Sequence, residues 1–311
     1  MNKLKMLIDN PKVILHFLVW KGFFDFLSDE EKLKLIWKVY TDKPLNLDNP
    51  QGFNEKLNWL KLYDRKDIYT IMSDKYEVRK YIKETIGGKY LIPLIGVYDD
   101  PEEIDFDKLP DSFVIKWNHN SGQGMCLCKD KDGLDKKSVI NSLKKARNYR
   151  YYEKSLEWPY KNIKPKIVIE EFIEDKSEKN KSGTLIDYKF YCFNGEPRFL
   201  YVGTDDITGG KKGEARLTFL NMNWGPVQFY REDHRQIGFD VDKPDKFDEM
   251  VEISRKLSKD IPFVRVDLYC VNDRILFSEM TFFPGGGYGF FNPEEWERKI
   301  GDLIILPEKV K

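Results

Sequence analysis

Two strand pairs, each closed by a two-residue turn, constrain this chain more than any other feature. Tyr188 to Phe193 and Arg198 to Val202 flank Asn194-Gly195, while Phe263 to Val271 and Arg274 to Met280 flank Asn272-Asp273. Turns this short join antiparallel neighbours, because parallel strands need a long crossover. Ser112 to Trp117 and Met125 to Cys128 bracket a polar loop, Asn118 to Gly124, in the same manner, and Lys166 to Ile173 and Ala215 to Leu220 read as further strands. Glu174 to Gly183 reads as a surface loop. Helical spacing governs the first hundred residues. Leu33, Ile36, Trp37 and Tyr40 share one face of Glu30 to Tyr40, and Phe53 to Tyr63 repeats the pattern. Asp74 with Glu77 forms a capping-box pattern that opens Lys75 to Glu84, and Gly87-Gly88 closes it. Lys136 to Tyr149 and Lys243 to Lys259 are further helices. The fold class is α+β, with antiparallel sheets and a mostly helical N-terminal region.

Composition narrows the function. Lys plus Arg and Asp plus Glu number 52 each, so no global basic field marks a nucleic-acid binder. Cys126, Cys128, Cys192 and Cys270 lack CxxC spacing and only three histidines exist, which argues against zinc and for reduced buried thiols. No cleavable signal peptide is visible. Val13 to Leu27 is apolar but short, and Lys21 and Asp25 interrupt it. It is too short to span a bilayer, which leaves a buried helix or an interfacial one resting on a membrane.

Four groups of residues carry chemistry. In the last strand pair Arg265 and Asp267 share a face, and the turn brings Glu279 near them. Two carboxylates beside an arginine suit a magnesium–polyphosphate site, since Mg²⁺ takes few protein ligands and completes its shell from phosphate and water. An internal salt bridge would account for the same residues. Pro284 to Gly289 follows as a flexible run; it lacks the βαβ context of a dinucleotide fingerprint. Lys116 ends an apolar strand before Ser121-Gly122-Gln123-Gly124, which suits a flap over phosphates, although an ordinary hairpin loop explains it equally. Glu170-Glu171-Phe172-Ile173 ends another apolar strand, where backbone groups can meet an adenine edge. Asp187 and Lys189 share a face of the next strand.

In this order the pieces resemble the ATP-grasp superfamily and, more narrowly, its TupA-like group, named for teichuronopeptide biosynthesis. The resemblance extends from about Phe53 to Leu306, most specifically at Ser73 to Tyr76 with Arg79, Phe113 to Gly124, Glu170 to Phe172, Asp187 to Gly195 and Arg265 to Pro284. It implies an ATP-grasp fold with a helical extension over 1–52, an N-terminal lobe over 53–110, a central nucleotide-binding lobe over 111–173 and a C-terminal lobe with the metal site over 174–311. It implies ATP and Mg²⁺ as cofactors. Lys75, Lys116, Lys189 and the loop Ser121, Gly122 and Gly124 would hold phosphates, and Glu170, Glu171, Phe172 and Ile173 adenine. Asp187 would sit at the ribose, and Asp267 and Glu279 would ligate the metal. Many ATP-grasp ligases have Glu-x-Asn where this chain has Glu279-Met280-Thr281; the TupA-like group commonly carries threonine there.

The resemblance further implies carboxylate–amine ligation through an acylphosphate, with Arg265 at the tetrahedral oxyanion and Arg216 on the γ-phosphate or the carboxylate. The carboxylate would belong to a uronic acid or amino acid in a cell-surface polysaccharide precursor, free or linked to a lipid or nucleotide, with an amino acid as amine donor. The location implied is cytoplasmic, at the inner face of the membrane if the N-terminal helix makes peripheral contact there. Alternatives are a sugar-kinase-like phosphoryl transfer with His119 as the nearest base, a glycosyltransferase, or a non-catalytic ATP-binding partner of a glycan assembly complex. For the glycosyltransferase, Asp205-Asp206 lacks the Asp-x-Asp spacing.

Overall fold

Local sequence sets the helices. A computed structural model describes residues 14, 17–19, 21–176, 185–204, 217–231 and 242–309. Ser28 and Glu31 form a reciprocal capping box that starts α1 (Asp29–Thr41), and α2 (Phe53–Tyr63) follows the polar loop. The segment after α2 forms α3 (Asp67–Ser73), a short helix that sequence spacing did not reveal. The Asp74 carboxylate does accept from the N–H groups of Tyr76 and Glu77. The helix it precedes, α4 (Val78–Thr85), nevertheless starts three residues later than the capping pattern implied, because Lys75 to Glu77 form a turn.

Two sheets follow. In the smaller, β1 (Leu94–Tyr98), β2 (Phe113–Trp117), β3 (Cys126–Cys128) and β4 (Ile167–Glu171) lie in the order β1-β4-β2-β3, with α5 (Lys136–Arg147) and α6 (Tyr151–Ser155) in the connection between β3 and β4. The larger is formed by β5 (Ile186–Phe193), β6 (Glu196–Thr204), β7 (Leu217–Asn221), β9 (Phe263–Val271) and β10 (Arg274–Thr281), in the order β10-β9-β5-β6-β7. The two-stranded sheet pairs β8 (Tyr230–Arg231) with β11 (Phe291–Asn292), while α7 (Phe247–Leu257) precedes β9 and α8 (Glu295–Gly301) follows β11. Every described pairing within the sheets is antiparallel. Asn194 and Gly195 both have positive φ, as do Asn272 and Asp273, the backbone that a two-residue hairpin requires.

Strand β5 is buried along its whole length, because helices cover both faces of the larger sheet. Phe190 meets Phe247 of α7 at 5.9 Å, whereas Tyr191, on the opposite face, meets Phe53 of α2 at 6.4 Å. Phe53 also sits edge-on to Phe263 at 5.0 Å and to Phe291 at 5.4 Å. One apolar core therefore runs from α1 through the larger sheet to Ile304, and a second, between Ile104 and Ile169, lies under the smaller sheet.

Two expectations need correction. Of Val13 to Leu27, residues 14, 17–19 and 21–27 are described. Val19 is buried, but Phe23 is 68% and Phe26 81% exposed, so this segment is not the buried helix that its apolarity suggests. Turns occupy residues 21–26, with Gly22 at φ +80°, and Lys32 pairs with Asp25. Pro284 to Gly289 is likewise no flexible run. Residues 284–287 form a 3-10 turn in which Gly285, Gly286 and Gly287 take positive φ. Side chains of α2 pin it: Asn58 donates to the Gly287 carbonyl at 2.9 Å, Lys61 to the Gly286 carbonyl at 2.6 Å, and Asn54 to the Gly289 carbonyl at 3.1 Å.

Candidate nucleotide site

The two sheets enclose a cavity of about 200 Å³, lined by Lys116 and Val114 of β2, Glu170 to Asp175, Asp187 of β5, and Tyr269 and Ser278 of the larger sheet. Lys116, Glu170, Glu171, Phe172, Ile173 and Asp187, chosen from sequence, thus converge on one space. Its walls are mixed in chemistry. Ile92, Leu127, Phe172 and Ile173 offer apolar surface, and Lys129 lies over the Phe172 ring at 5.5 Å.

The backbone limits which residues can meet a base edge. Strand β4 lies inside its sheet, where Glu170 pairs with both Leu94 and Val114. Glu171 pairs with Phe113, and its N–H donates to the Pro93 carbonyl at 3.1 Å. Pairing ends at Glu171, so the backbone suited to adenine narrows from Glu170–Ile173 to Phe172–Ile173. The Glu170 side chain has another task. It is buried between Lys116 Nζ at 2.6 Å and Arg79 Nη1 at 2.9 Å. Arg79 follows Lys75 by four residues, a spacing that places two cations together, although sequence alone gave Arg79 no role.

Register builds the polar centre. Lys189 pairs with Tyr201 on one side and Asp267 on the other, and Asp267 pairs with Glu279. Residues directly opposite in antiparallel strands share a face, so Tyr201, Lys189, Asp267 and Glu279 form a row across four strands. The next row runs through Tyr191, Arg265 and Thr281. A bulge makes this possible: register shifts between Phe277 and Glu279, and the extra residue, Ser278, brings Glu279 opposite Asp267.

The charges in these rows compensate one another. Arg265 grips Asp267 with Nε at 2.7 Å and Nη2 at 2.6 Å, and Nη2 also donates to Glu279 at 3.3 Å and Thr281 at 3.0 Å. Lys189 reaches Asp267 and Asp187, each at 3.2 Å. Burial pushes the Asp267 carboxyl up, while Arg265 and Lys189 oppose it. Burial also acts against charge on Lys189, yet Asp267 and Asp187 hold its ammonium well above the ordinary lysine value. For Glu279 burial is again the largest effect, but Lys75, Arg265, Lys189 and the Thr281 hydroxyl outweigh it and hold the carboxyl at about 2. Lys75 is lowered by burial, with Glu279 opposing; its Nζ donates to the Asn120 carbonyl at 2.8 Å.

This donor set fits a divalent cation that arrives with its own ligands. Asp267 and Glu279 face each other, with the Thr281 hydroxyl donating to Glu279 at 3.1 Å. Among the described residues no group of three or more His, Cys, Asp or Glu could hold a metal alone. Two carboxylates and a hydroxyl do not form a cage, but Mg²⁺ bound to phosphates needs no cage.

The loop 118–124 is more constrained than its glycines imply. Gly124 packs on α5, where a Cβ would lie 2.8 Å from that of Ala146, so close helix contact explains it. Gly122, at φ +86°, has open space around it, and Ser121 is exposed. None of these three lines the cavity. His119 is buried against Trp117, with ring centroids 5.3 Å apart. Burial, then the nearby Lys75, lowers its pKa to about 4, so it is a weak base at neutral pH. Arg216 lies outside the described residues, as does the stretch Asp205 to Gly213.

The sequence matches the family model described as TupA-like ATPgrasp over residues 55–305. An ATP-grasp protein is thus the class that fold and site define. The chain belongs to the TupA-like ATP-grasp family. No curated protein matches it. Solved structures similar to it include a D-alanine–D-alanine ligase from Bacillus anthracis complexed with ATP, at 17% identity and a TM-score of 0.41, over 69% of this chain and 56% of that one. Another is the D-alanine–D-alanine ligase from Helicobacter pylori, at 14% identity and a TM-score of 0.43, over 83% and 70%. A third is an N5-carboxyaminoimidazole synthase from Aspergillus clavatus in complex with ADP and 5-aminoimidazole ribonucleotide, at 10% identity and a TM-score of 0.37, over 70% and 45%. The chain spans little more than half the length of the Bacillus anthracis ligase. Similarities this distant transfer no activity.

Proposed function

We propose that this protein is an ATP-dependent carboxylate–amine ligase that works through an acylphosphate. The row Lys189–Asp267–Glu279 with Arg265, beside a cavity lined by Lys116 and Asp187, is the observation that supports it. No side-chain nucleophile is required. A substrate carboxylate oxygen attacks the γ-phosphorus, the bond from that phosphorus to the bridging oxygen breaks, and ADP leaves. An amine nitrogen then attacks the acyl carbon, phosphate departs and the amine releases a proton. Lys75, Lys116 and Lys189 bind and orient the phosphates, where fixed cations stabilise charge without reorganisation. Phe172 and Ile173 offer the base its apolar contact and backbone edge. Asp267, Glu279 and Thr281 are the residues that would hold Mg²⁺, which, when bound, supplies charge neutralisation at the phosphates. Among the described residues Arg265 has Nε and Nη2 engaged by Asp267, Glu279 and Thr281, which leaves Nη1 for a developing oxyanion.

The substrates that suit this reading are a uronic acid or similar carboxylate, free or carried on a lipid or nucleotide, and an amino acid as amine donor. They would place the protein in cell-surface polysaccharide synthesis in the cytoplasm. Exposed Phe17, Phe23 and Phe26 suit peripheral contact with the inner face of the membrane. Among the described residues no helix is long and apolar enough to cross a membrane. The test is a screen for ADP release against uronic acids, nucleotide-linked uronic acids and amino acids, with hydroxylamine added to trap acylphosphate as hydroxamate. A stable phosphate ester, with no hydroxamate from any carboxylate, would overturn ligation in favour of a kinase.

A further inference from the structure

A second cavity, of about 250 Å³, lies apart from the nucleotide cavity and shares none of its lining residues. Tyr40 of α1, Tyr151 of α6 and Tyr288 line it, with Lys154, Glu157 and Gly286. Tyr40 and Tyr288 stack at 4.7 Å, so α1, which precedes the family match, supplies part of the wall. Two buried polar atoms in this wall, Glu157 Oε1 and Tyr288 Oη, have no hydrogen-bond partner among the described residues. Glu157 is only 3% exposed. A buried carboxyl oxygen and a buried phenol both left without partners are costly, and two in one cavity point to a ligand that completes them. Lys61 compensates the charge of the carboxyl, and Tyr151 and Ser155 hydrogen-bond to it, but none of them completes Oε1; the Lys61 ammonium donates to the carbonyls of Ser155 at 3.0 Å and Gly286 at 2.6 Å.

We infer that this cavity is the subsite for the amine substrate, an α-amino acid whose ammonium docks on Glu157 Oε1. This rests on the ligase reading above and names the second substrate's site. A carboxylate accepts only from donors, so Oε1 selects a group with N–H or O–H and repels a second acid. Lys154 Nζ, over the Tyr149 ring at 3.9 Å, and the Tyr288 hydroxyl supply donors for the amino acid's own carboxylate. The cavity is connected to the charged rows through its chain neighbours. Glu157 immediately precedes the turn Trp158–Tyr160, and burial, then the charges of Glu157 and Glu279, push the Tyr160 phenol well above its ordinary value, with Arg265 opposing. The Gly285–Gly286 wall begins four residues after Thr281, at the end of the strand that carries Glu279.

The experiment is calorimetric titration of the full chain, saturated with Mg–AMP-PNP, with a panel of L-amino acids and with their des-amino acids, such as propionate for alanine. At least one amino acid should bind, its des-amino counterpart should not, and Glu157→Gln should weaken it by about tenfold or more, the loss of one charge-assisted hydrogen bond. Tyr288→Phe, which keeps the ring, should weaken it less. Both variants should keep wild-type affinity for Mg–AMP-PNP, which also reports that they fold. Unchanged amino-acid affinity in both variants, or equal binding of the des-amino acid, would overturn the assignment. Nucleotide binding with no amino acid bound would overturn it while leaving the ligase reading intact. Failure of the nucleotide itself to bind would overturn both.

Discussion

Replacing Lys116 with methionine separates phosphate binding from fold support. The methionine keeps the apolar stem, so packing beside Val114 and Ile115 changes little. Glu170 loses the 2.6 Å contact with Lys116 but keeps Arg79 at 2.9 Å, and therefore is not left as a lone buried charge. Because Arg79 still compensates the buried Glu170, the lost pair costs about 1 kcal/mol of stability, the net worth of one hydrogen bond. Nucleotide affinity should suffer more. A charge-assisted hydrogen bond contributes about 1.5–3 kcal/mol. Lys116 must exchange its contact with Glu170 for one with phosphate, so the net gain falls at the lower end, about 1.5 kcal/mol, or about tenfold in Kd. The lysine meets phosphate in both the ground and transition states, so kcat at saturating nucleotide should fall far less than affinity. Calorimetry with Mg–AMP-PNP, beside a thermal melt, measures both quantities. A Kd within about threefold of wild type, or a tenfold loss of kcat with Kd unchanged, would refute this account.

Glu279→Gln should do the reverse, lowering turnover about a hundredfold or more while nucleotide affinity changes modestly, as steady-state kinetics at saturating Mg²⁺ would register. Arg265→Leu should destabilise the fold by about 3–5 kcal/mol in urea titration, because Asp267, fully buried, then keeps Lys189 as its only cation among the described residues. The Glu157 carboxyl is faced by Lys61 of α2, Tyr151 and Ser155 of α6 and, at longer range, Glu279; burial is the largest effect and pushes it up to about 7. A carboxyl raised in the folded state adds stability below its unfolded value, near 4.5, and that stability is lost as pH rises to about 7. Glu157→Gln should therefore gain stability relative to wild type across that interval, and parallel denaturation curves from pH 5 to 7 would contradict this.

The sequence by itself determined the antiparallel hairpins, since Asn194-Gly195 and Asn272-Asp273 are turn residues for a local physical reason, tolerance of positive φ. It determined α1 and α2 through apolar spacing. It also placed Lys116, Glu170, Asp187, Lys189, Arg265, Asp267 and Glu279 on strands, because two-residue periodicity and strand ends are local properties. Tertiary structure decided what those side chains do. The bulge at Ser278 fixes which residue faces Asp267, and a one-residue slip would have turned Glu279 to the other side. Pairing on both edges of β4 removes Glu170 and Glu171 from backbone recognition, and that depends on neighbours distant in sequence, Leu94 and Val114 for Glu170 and Phe113 for Glu171. Pro284 to Gly289 reads as mobile from composition, yet Asn54, Asn58 and Lys61 of α2 hold its carbonyls across more than two hundred residues of chain. Glu157 carried no signal at all, because its burial, its open Oε1 and its tyrosine walls arise only where α1, α6 and the glycine turn meet. Periodicity and turn chemistry act between near neighbours and are written in the sequence, whereas register, burial and charge compensation act between segments that only the folded chain brings together.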